Sequence, residues 1–190
     1  MTIGLFFGSF NPIHIGHLII ANTMVELGEV DEVWFIISPQ NPLKATNTLL
    51  HEFDRLEMVR IAIHDNIKFK VSDIEFQLPK PSYTIDTLTH IQEKYPKNKF
   101  VLIIGEDNLV QFTRWKNYLQ ILEYFSLLVY QRPDSGKSDL ANHPKVKLIE
   151  APLFDISASF IRKMIKENKS IKYLVVPEVE NYIYSKKFYL

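Results

Sequence analysis

The sequence predicts an α/β fold: a doubly wound parallel sheet with helices on both faces. Apolar runs of four to six residues alternate with segments of helical periodicity along the chain, the pattern of β-α units joined by right-handed crossovers. The longer runs are hydrophobic at successive positions rather than every other one, as in strands covered on both faces. Chemically interesting polar residues fall just after the strands, where sheets of this kind bind ligands.

Ile3 to Phe7 is the first strand and His17 to Leu27 the first helix, closed by Gly28 as a C′ residue. Glu32 to Ile37 is the second strand, and Ser38 to Leu50, rich in Pro, Asn and Thr, is a loop. Phe53, Leu56, Val59, Ile61 and Ile63 make Glu52 to Ile63 an amphipathic helix. Ile67 to Val71 is a short strand, after which Pro79-Lys80-Pro81 interrupts the chain. Ser82 or Thr84 is the candidate cap of a helix running to about Tyr95. Phe100 to Ile104 is the next strand and ends in Gly105-Glu106-Asp107. Helical segments carrying Leu109, Phe112 and Trp115, then Leu119 to Tyr124, lead to a strand at Ser126 to Tyr130. Pro133 to Pro144 has the composition of a mobile loop, and Val146 to Ile149 is the last strand. Ser157 to Glu167 and Pro177 to Lys186 are helices. The expected organisation is one domain over 1–190, with a small C-terminal helical part from about 156 to 190.

At 190 residues the chain can bury one proper core. Its 22 basic and 22 acidic residues cancel, which leaves no global field to attract nucleic acid or a membrane surface. There is no cysteine, which excludes disulfides, thiolate metal sites and a cysteine nucleophile, and suits a reducing compartment. Met1-Thr2-Ile3-Gly4 lacks a basic leader, and Ile3 to Phe7 is too short for a signal or a membrane span. A soluble cytoplasmic protein is expected. The aromatic tail, Tyr182, Tyr184, Phe188 and Tyr189, reads as packing of the last helix, with a homo-oligomer contact as the alternative. His51, His64, His90 and His143 are scattered and receive no role.

The chemistry concentrates in Gly8-Ser9-Phe10-Asn11-Pro12-Ile13-His14-Ile15-Gly16-His17, between the first strand and first helix. A strand, a glycine-containing loop and a helix start deliver an anion to unpaired backbone N–H groups. His14 and His17, three residues apart, reach the same side of the first turn. The stretch has neither the G-x-G-x-x-G nor the G-K-[ST] pattern. Phosphoryl or nucleotidyl transfer needs chiefly positioning and charge stabilisation, which imidazoles at a helix start supply without a nucleophile. The structural alternative makes Asn11 an N-cap, Pro12 the first helical residue and the histidines merely exposed. A zinc site lacks an obvious third ligand.

His14-Ile15-Gly16-His17 resembles the (H/T)-x-G-H signature of the nucleotidyltransferase superfamily. About 140 residues later, Ile156-Ser157-Ala158-Ser159-Phe160-Ile161-Arg162 is similar to its I-S-S-T-x-I-R element. Ser82-Tyr83-Thr84-Ile85-Asp86-Thr87-Leu88, Gly105-Glu106-Asp107 and Trp115 resemble bacterial nicotinate-nucleotide adenylyltransferases over nearly the whole chain. The resemblance implies a Rossmann-like fold and in-line transfer of an adenylyl group from ATP to nicotinate mononucleotide in NAD biosynthesis, releasing pyrophosphate. It implies Mg²⁺ accompanying ATP, and no all-protein metal cage is visible. It assigns the ATP phosphates to His14, His17, Ser157 and Arg162, with Arg162 as a charge-assisted fork. Gly8, Ser9 and Phe10 approach the nucleotides through backbone groups, and Gly16 and Ile156 belong to the two ATP motifs. Lys44, Thr84, Gly105, Asp107 and Trp115 fall to the nicotinate nucleotide: Asp107 on ribose hydroxyls, Thr84 through backbone N–H, Trp115 by stacking.

The chain departs from the family pattern in three places. Asn41-Pro42-Leu43-Lys44 lacks the histidine of the usual P-P-H-K. Asn11 replaces an aspartate and is expected still to cap a helix, and Ala158 replaces a hydroxyl residue. Each assigned residue also has a plainer reading: Trp115 in the core, Asp107 as a helix cap, Arg162 and Lys44 as solvated charges. A sister transferase accepting nicotinamide mononucleotide or phosphopantetheine, and a catalytically inactive nucleotide-binding regulator, are the competing functions.

Overall fold

The computed structural model describes residues 1–39, 49–131, 136–152 and 155–190. The strands are β1 (Thr2–Gly8), β2 (Glu32–Ile37), β3 (Phe69–Ser72), β4 (Lys99–Gly105), β5 (Ser126–Tyr130) and β6 (Val146–Ile149). The helices are α1 (Ile15–Glu26), α2 (Glu52–Ala62), α3 (Thr84–Lys94), α4 (Glu106–Val110), α5 (Tyr118–Tyr124), α6 (Ala158–Lys166) and α7 (Pro177–Ser185). All six strands pair in parallel in the order β3-β2-β1-β4-β5-β6. The chain winds outward from β1 to β3, then crosses back to set β4 beside β1. Strand order therefore reverses between β1 and β4, and a crevice opens beyond their carboxyl ends.

Two-residue alternation splits the strand side chains into two cores. Phe6, Phe35, Ile37, Val101, Ile103 and Leu128 face one way and meet α1, α2, α6 and α7 through Met24, Met58, Ile161 and Val179. Ile3, Leu5, Ile36, Leu102, Ile104 and Val129 face the other way and meet α3 and α5 through Leu88, Ile91 and Ile121. Full burial of side chains of this size stabilises the fold by about 1.5–3 kcal/mol each. The two C-terminal helices thus complete the core begun by α1 and α2. Among the described residues, no helix is long and apolar enough to cross a membrane.

Several boundaries differ from the sequence reading for local reasons. The first helix begins at Ile15, with His14 rather than Asn11 as its N-cap, and Pro12 lies outside it. Its C-terminus is as expected: Gly28 has φ +72, and Gly28 and Glu29 N–H donate to the Val25 and Met24 carbonyls, a Schellman closure. The third strand starts at Phe69, because Ile67 precedes the ladder and is 92 % exposed. Phe53 lies on the open side of α2, whose buried face instead includes Arg55. Tyr83 occupies the N-cap position of α3, while the Ser82 hydroxyl turns away to Glu75. The expected Pro133–Pro144 loop contains a 3₁₀ turn, Asp139–Asn142, capped by Ser138; residues 132–135 lie outside the described residues.

Candidate active site

The β1–α1 loop must bring the chain off a buried strand and turn it into a helix within a few residues. Phe10 makes the turn at φ +44 and buries its ring against Phe6, Phe35 and His17. A side chain on Gly8 would strike that ring, so this glycine clears space for Phe10. The same holds for Gly16: a Cβ there would stand 3.1 Å from His14 Nδ1. The His14 and His17 rings stack, centroids 3.7 Å apart. His14 N–H donates to His17 Nδ1 at 3.2 Å. An accepting Nδ1 leaves the ring proton on Nε2.

Arg162, on α6, reaches this loop from the far end of the sequence. Its Nη1 donates to the Asn11 carbonyl at 2.7 Å. Ile156, just before α6, stands 4.0 Å from where a Gly16 Cβ would be. Ser157 caps α6 by accepting from Phe160 N–H, and its hydroxyl lies 3.1 Å from that of Ser159. The two motifs therefore share one end of the sheet. The Asn11 side chain serves tertiary packing rather than a helix: Oδ1 accepts from Leu50 N–H at 3.3 Å and from the Tyr189 hydroxyl at 2.8 Å. Burial holds the Tyr189 phenol far above its ordinary pKa, so it remains a donor.

Beneath the loop lies a residue that sequence reasoning missed. Arg55 is fully buried, and its guanidinium donates to the carbonyls of Ser9, Ser38, Pro39 and Leu50 at 2.6–3.0 Å. These carbonyls end β1 and β2 and precede α2, so one planar fork gathers three chain segments. Burial lowers the Arg55 pKa, with Glu52 opposing, yet the fork stays cationic at neutral pH. The only signal in the sequence was its neighbourhood, with apolar residues following at the third and fourth positions, Met58 and Val59.

A cleft of about 320 Å³ opens over the ends of β1 and β4, lined by residues of both faces of the sheet. Gly8, Ser9 and Gly105 form its floor, and Thr84, Asn108, Trp115 and Lys116 stand around it. A side chain at Gly105 would displace the Asp107 carboxylate and come within 3.2 Å of the Tyr130 ring. Trp115 is half-buried, tilted against the buried Phe112 at 5.0 Å. Lys116 is held by Asp86 at 2.9 Å and lies 4.7 Å above the Tyr83 ring. Glu75, 2 % exposed, reaches the cleft wall and accepts from the hydroxyls of Ser82 and Thr87.

The sequence-predicted residues thus divide into two groups flanking the end of β1. His14, His17, Ile156, Ser157 and Arg162 stand on the α1 side; Thr84, Gly105 and Trp115 line the cleft on the α3 side. Asp107 is exposed in the first turn of α4, with Gly105 as N-cap, so it is not a cap itself. Asn108, not Asp107, contributes to the cleft wall. Lys44 and the rest of Asn41-Pro42-Leu43-Lys44 lie outside the described residues. Asn108, Lys116 and Glu75 carried no distinguishing pattern in the sequence.

Residues 5–164 match the cytidylyltransferase-like family. The chain is 64 % identical to a Cytophaga hutchinsonii protein named probable nicotinate-nucleotide adenylyltransferase, over 100 % of this chain and 98 % of that one. It is 50 % identical to a Flavobacterium johnsoniae protein of the same name, over 100 % and 99 %. A solved Plasmodium falciparum nicotinic acid mononucleotide adenylyltransferase, complexed with NaAD, superposes with TM-score 0.84 at 23 % identity, over 99 % of this chain and 97 % of that one. That likeness shows the shared Rossmann-like fold. With the identity to its bacterial relatives extending over the full length, the chain belongs to the nicotinate-nucleotide adenylyltransferase family of cytidylyltransferase-like proteins.

Proposed function

We propose that the protein joins the adenylyl group of ATP to nicotinate mononucleotide, giving deamido-NAD and pyrophosphate. The observation that carries this reading is the convergence on one sheet end of a stacked imidazole pair, a guanidinium and an aromatic-walled cleft. The 5′-phosphate oxygen of the acceptor attacks the α-phosphorus in line as the bond to the β-phosphate oxygen breaks. The electron pair leaves on pyrophosphate. Such a step needs alignment and charge stabilisation more than covalent help.

His17 Nε2–H, His14 and Arg162 hold the triphosphate and stabilise the charge that develops on it. Ser157 adds a hydroxyl, with Ile156 and Gly16 forming the close wall between the motifs. Gly8, Ser9 and Phe10 offer backbone groups, and the Phe10 ring is buried. The acceptor lies in the cleft: its ring on Trp115, its carboxylate at the Thr84 N–H of the α3 start, its ribose near Gly105, with Asp107 and Asn108 at the rim. Lys44 is assigned to a phosphate by motif position. Among the described residues no three His, Asp or Glu side chains converge as a metal site. A divalent ion, Mg²⁺ in this reading, would accompany the triphosphate and neutralise charge on its oxygens. We place the activity in the cytoplasm as a function of the whole chain acting as one domain.

The test is incubation with ATP and each pyridine mononucleotide in parallel, reading pyrophosphate. Turnover with nicotinate mononucleotide well above that with nicotinamide mononucleotide is expected; no pyrophosphate with either overturns the proposal. Trp115→Ala is expected to raise KM for the acceptor about tenfold or more, from lost stacking and apolar contact, and to leave KM for ATP within about twofold. Equal rises for both substrates would count against the stacking role.

A further inference from the structure

The wall of the cleft contains a carboxylate that the reaction does not use. Glu75 sits in a 3₁₀ turn, Ile74–Gln77, between β3 and the Pro79–Pro81 segment. Its Oε1 accepts from Thr87 Oγ1 at 2.7 Å and its Oε2 from Ser82 Oγ at 3.0 Å. The Ser38 hydroxyl stands close enough to oppose the rise of its pKa. These hydroxyls come from three places: the end of β2, the residue before the α3 N-cap, and the first turn of α3. A carboxylate alone among side chains accepts from several hydroxyls while offering no donor of its own. A buried charge so close to an anion-binding cleft works against stability, and it does not contact the reacting phosphates through any motif of the chain.

We infer that Glu75 is a positioning residue for the acceptor: it gathers the Ser38, Ser82 and Thr87 hydroxyls and so sets the Tyr83–Thr84 turn of α3 against the end of β2. The first backbone N–H groups of a helix lack intrahelical partners, and the Tyr83 side chain does not cap them. Their direction is therefore fixed by whatever holds the turn. Ser82 lies before that turn and Thr87 at its fourth residue, so the two bonds bracket Thr84, which lines the cleft. The groups facing Glu75 are the three hydroxyls, with the cations Arg114 and Lys116 among the residues that line the same cleft. This inference rests on the acceptor reading given above.

The test is the kinetics of full-length Glu75→Gln and Thr87→Val, singly and together, with ATP and nicotinate mononucleotide varied in turn. Glu75→Gln keeps shape but replaces an acceptor by a donor. It is expected to raise KM for the acceptor about tenfold, the size of a lost charge-assisted hydrogen bond, with KM for ATP and kcat within about twofold. Thr87→Val is expected to shift the same parameter, and the double variant to be no worse than Glu75→Gln. In the parent, acceptor KM rises as acid protonates Glu75, and Glu75→Gln removes that part of the pH profile. Unchanged acceptor KM, equal effects on both substrates, additive double-variant effects or an unaltered pH profile would each overturn the inference. Quenching of Trp115 fluorescence by nicotinate mononucleotide reads the same difference without turnover. A parent that binds but does not turn over thus counts against the proposed reaction and leaves Glu75 judged by binding; a parent that does not bind overturns both.

Discussion

His17 holds its proton on Nε2 because the His14 N–H occupies Nδ1. A ring fixed in that tautomer is a preorganised donor, and removing such a donor typically costs 10²–10³ in rate. His17→Ala is accordingly expected to lower kcat on the order of 10²–10³-fold while thermal unfolding remains cooperative; near-normal turnover would deny it the role. Glu75 makes a different kind of statement. Burial raises its pKa above the unfolded value, against the lowering effect of the Thr87, Ser82 and Ser38 hydroxyls. The folded state therefore binds this proton more tightly. Its contribution to stability is present below the unfolded pKa of 4.5 and is lost as pH rises through the raised value. Glu75→Gln, which does not ionise, is expected to gain in Tm relative to the parent as pH goes from 4.5 to 8. A constant difference over that range would show that Glu75 does not titrate there. At this scale the histidines were legible in the sequence because their spacing is local. Glu75 was not, because its hydroxyl partners come from Ser38, Ser82 and Thr87 and only folding assembles them.

At the scale of elements, the helices and strands were read correctly where periodicity and apolar runs were strong, and misread where one residue answered to a distant partner. Helix α2 shows both. Its Leu56 and Val59 are buried as expected, but Arg55 is buried and Phe53 exposed. The reason is the set of carbonyls at the ends of β1 and β2, which would otherwise be left without donors in a buried place. Arg55→Met keeps the apolar stem and removes the fork. It is expected to reduce unfolding stability by about 2–4 kcal/mol, the cost of leaving several buried acceptors unsatisfied, as measured by urea denaturation. A loss below about 0.5 kcal/mol, the range of ordinary surface changes, would mean that water replaces the guanidinium freely. The start of α1 teaches the same lesson: Asn11 has the right side chain for a cap, yet Leu50 and Tyr189 claim its oxygen and His14 takes the cap position.

Across the whole molecule, the last residues of the chain return to its first loop. Tyr189 and Asn11 are 178 positions apart and hydrogen-bonded, and Arg162 holds the Asn11 carbonyl across 151. Helix α6 and the residues after α7 thus brace the histidine loop. Tyr189→Phe is expected to cost about 1 kcal/mol of stability and to raise KM for ATP severalfold, with KM for the acceptor little changed. An effect confined to the acceptor would separate the tail from the phosphate side of the site. Packing of Tyr182, Phe188 and Tyr189 was legible, whereas Tyr184 is 42 % exposed; that Tyr189 reaches the β1–α1 loop was not, since nothing in a terminal Phe-Tyr-Leu specifies its distant partner.

The sequence alone determined the class of sheet, the run of elements and the pair of motifs that place His14, His17 and Arg162 in a nucleotidyltransferase. Those properties depend on short-range spacing: two-residue and 3.6-residue periods, glycine at a turn, residue types in a fixed order. Only the tertiary structure decided that Gly8 and Gly16 make room for aromatic rings, that Asn108 rather than Asp107 contributes to the cleft wall, and that Arg55 and Glu75 are buried. Those outcomes depend on which carbonyls, hydroxyls and rings are brought together when β4 crosses back to lie beside β1, and no local pattern encodes that meeting.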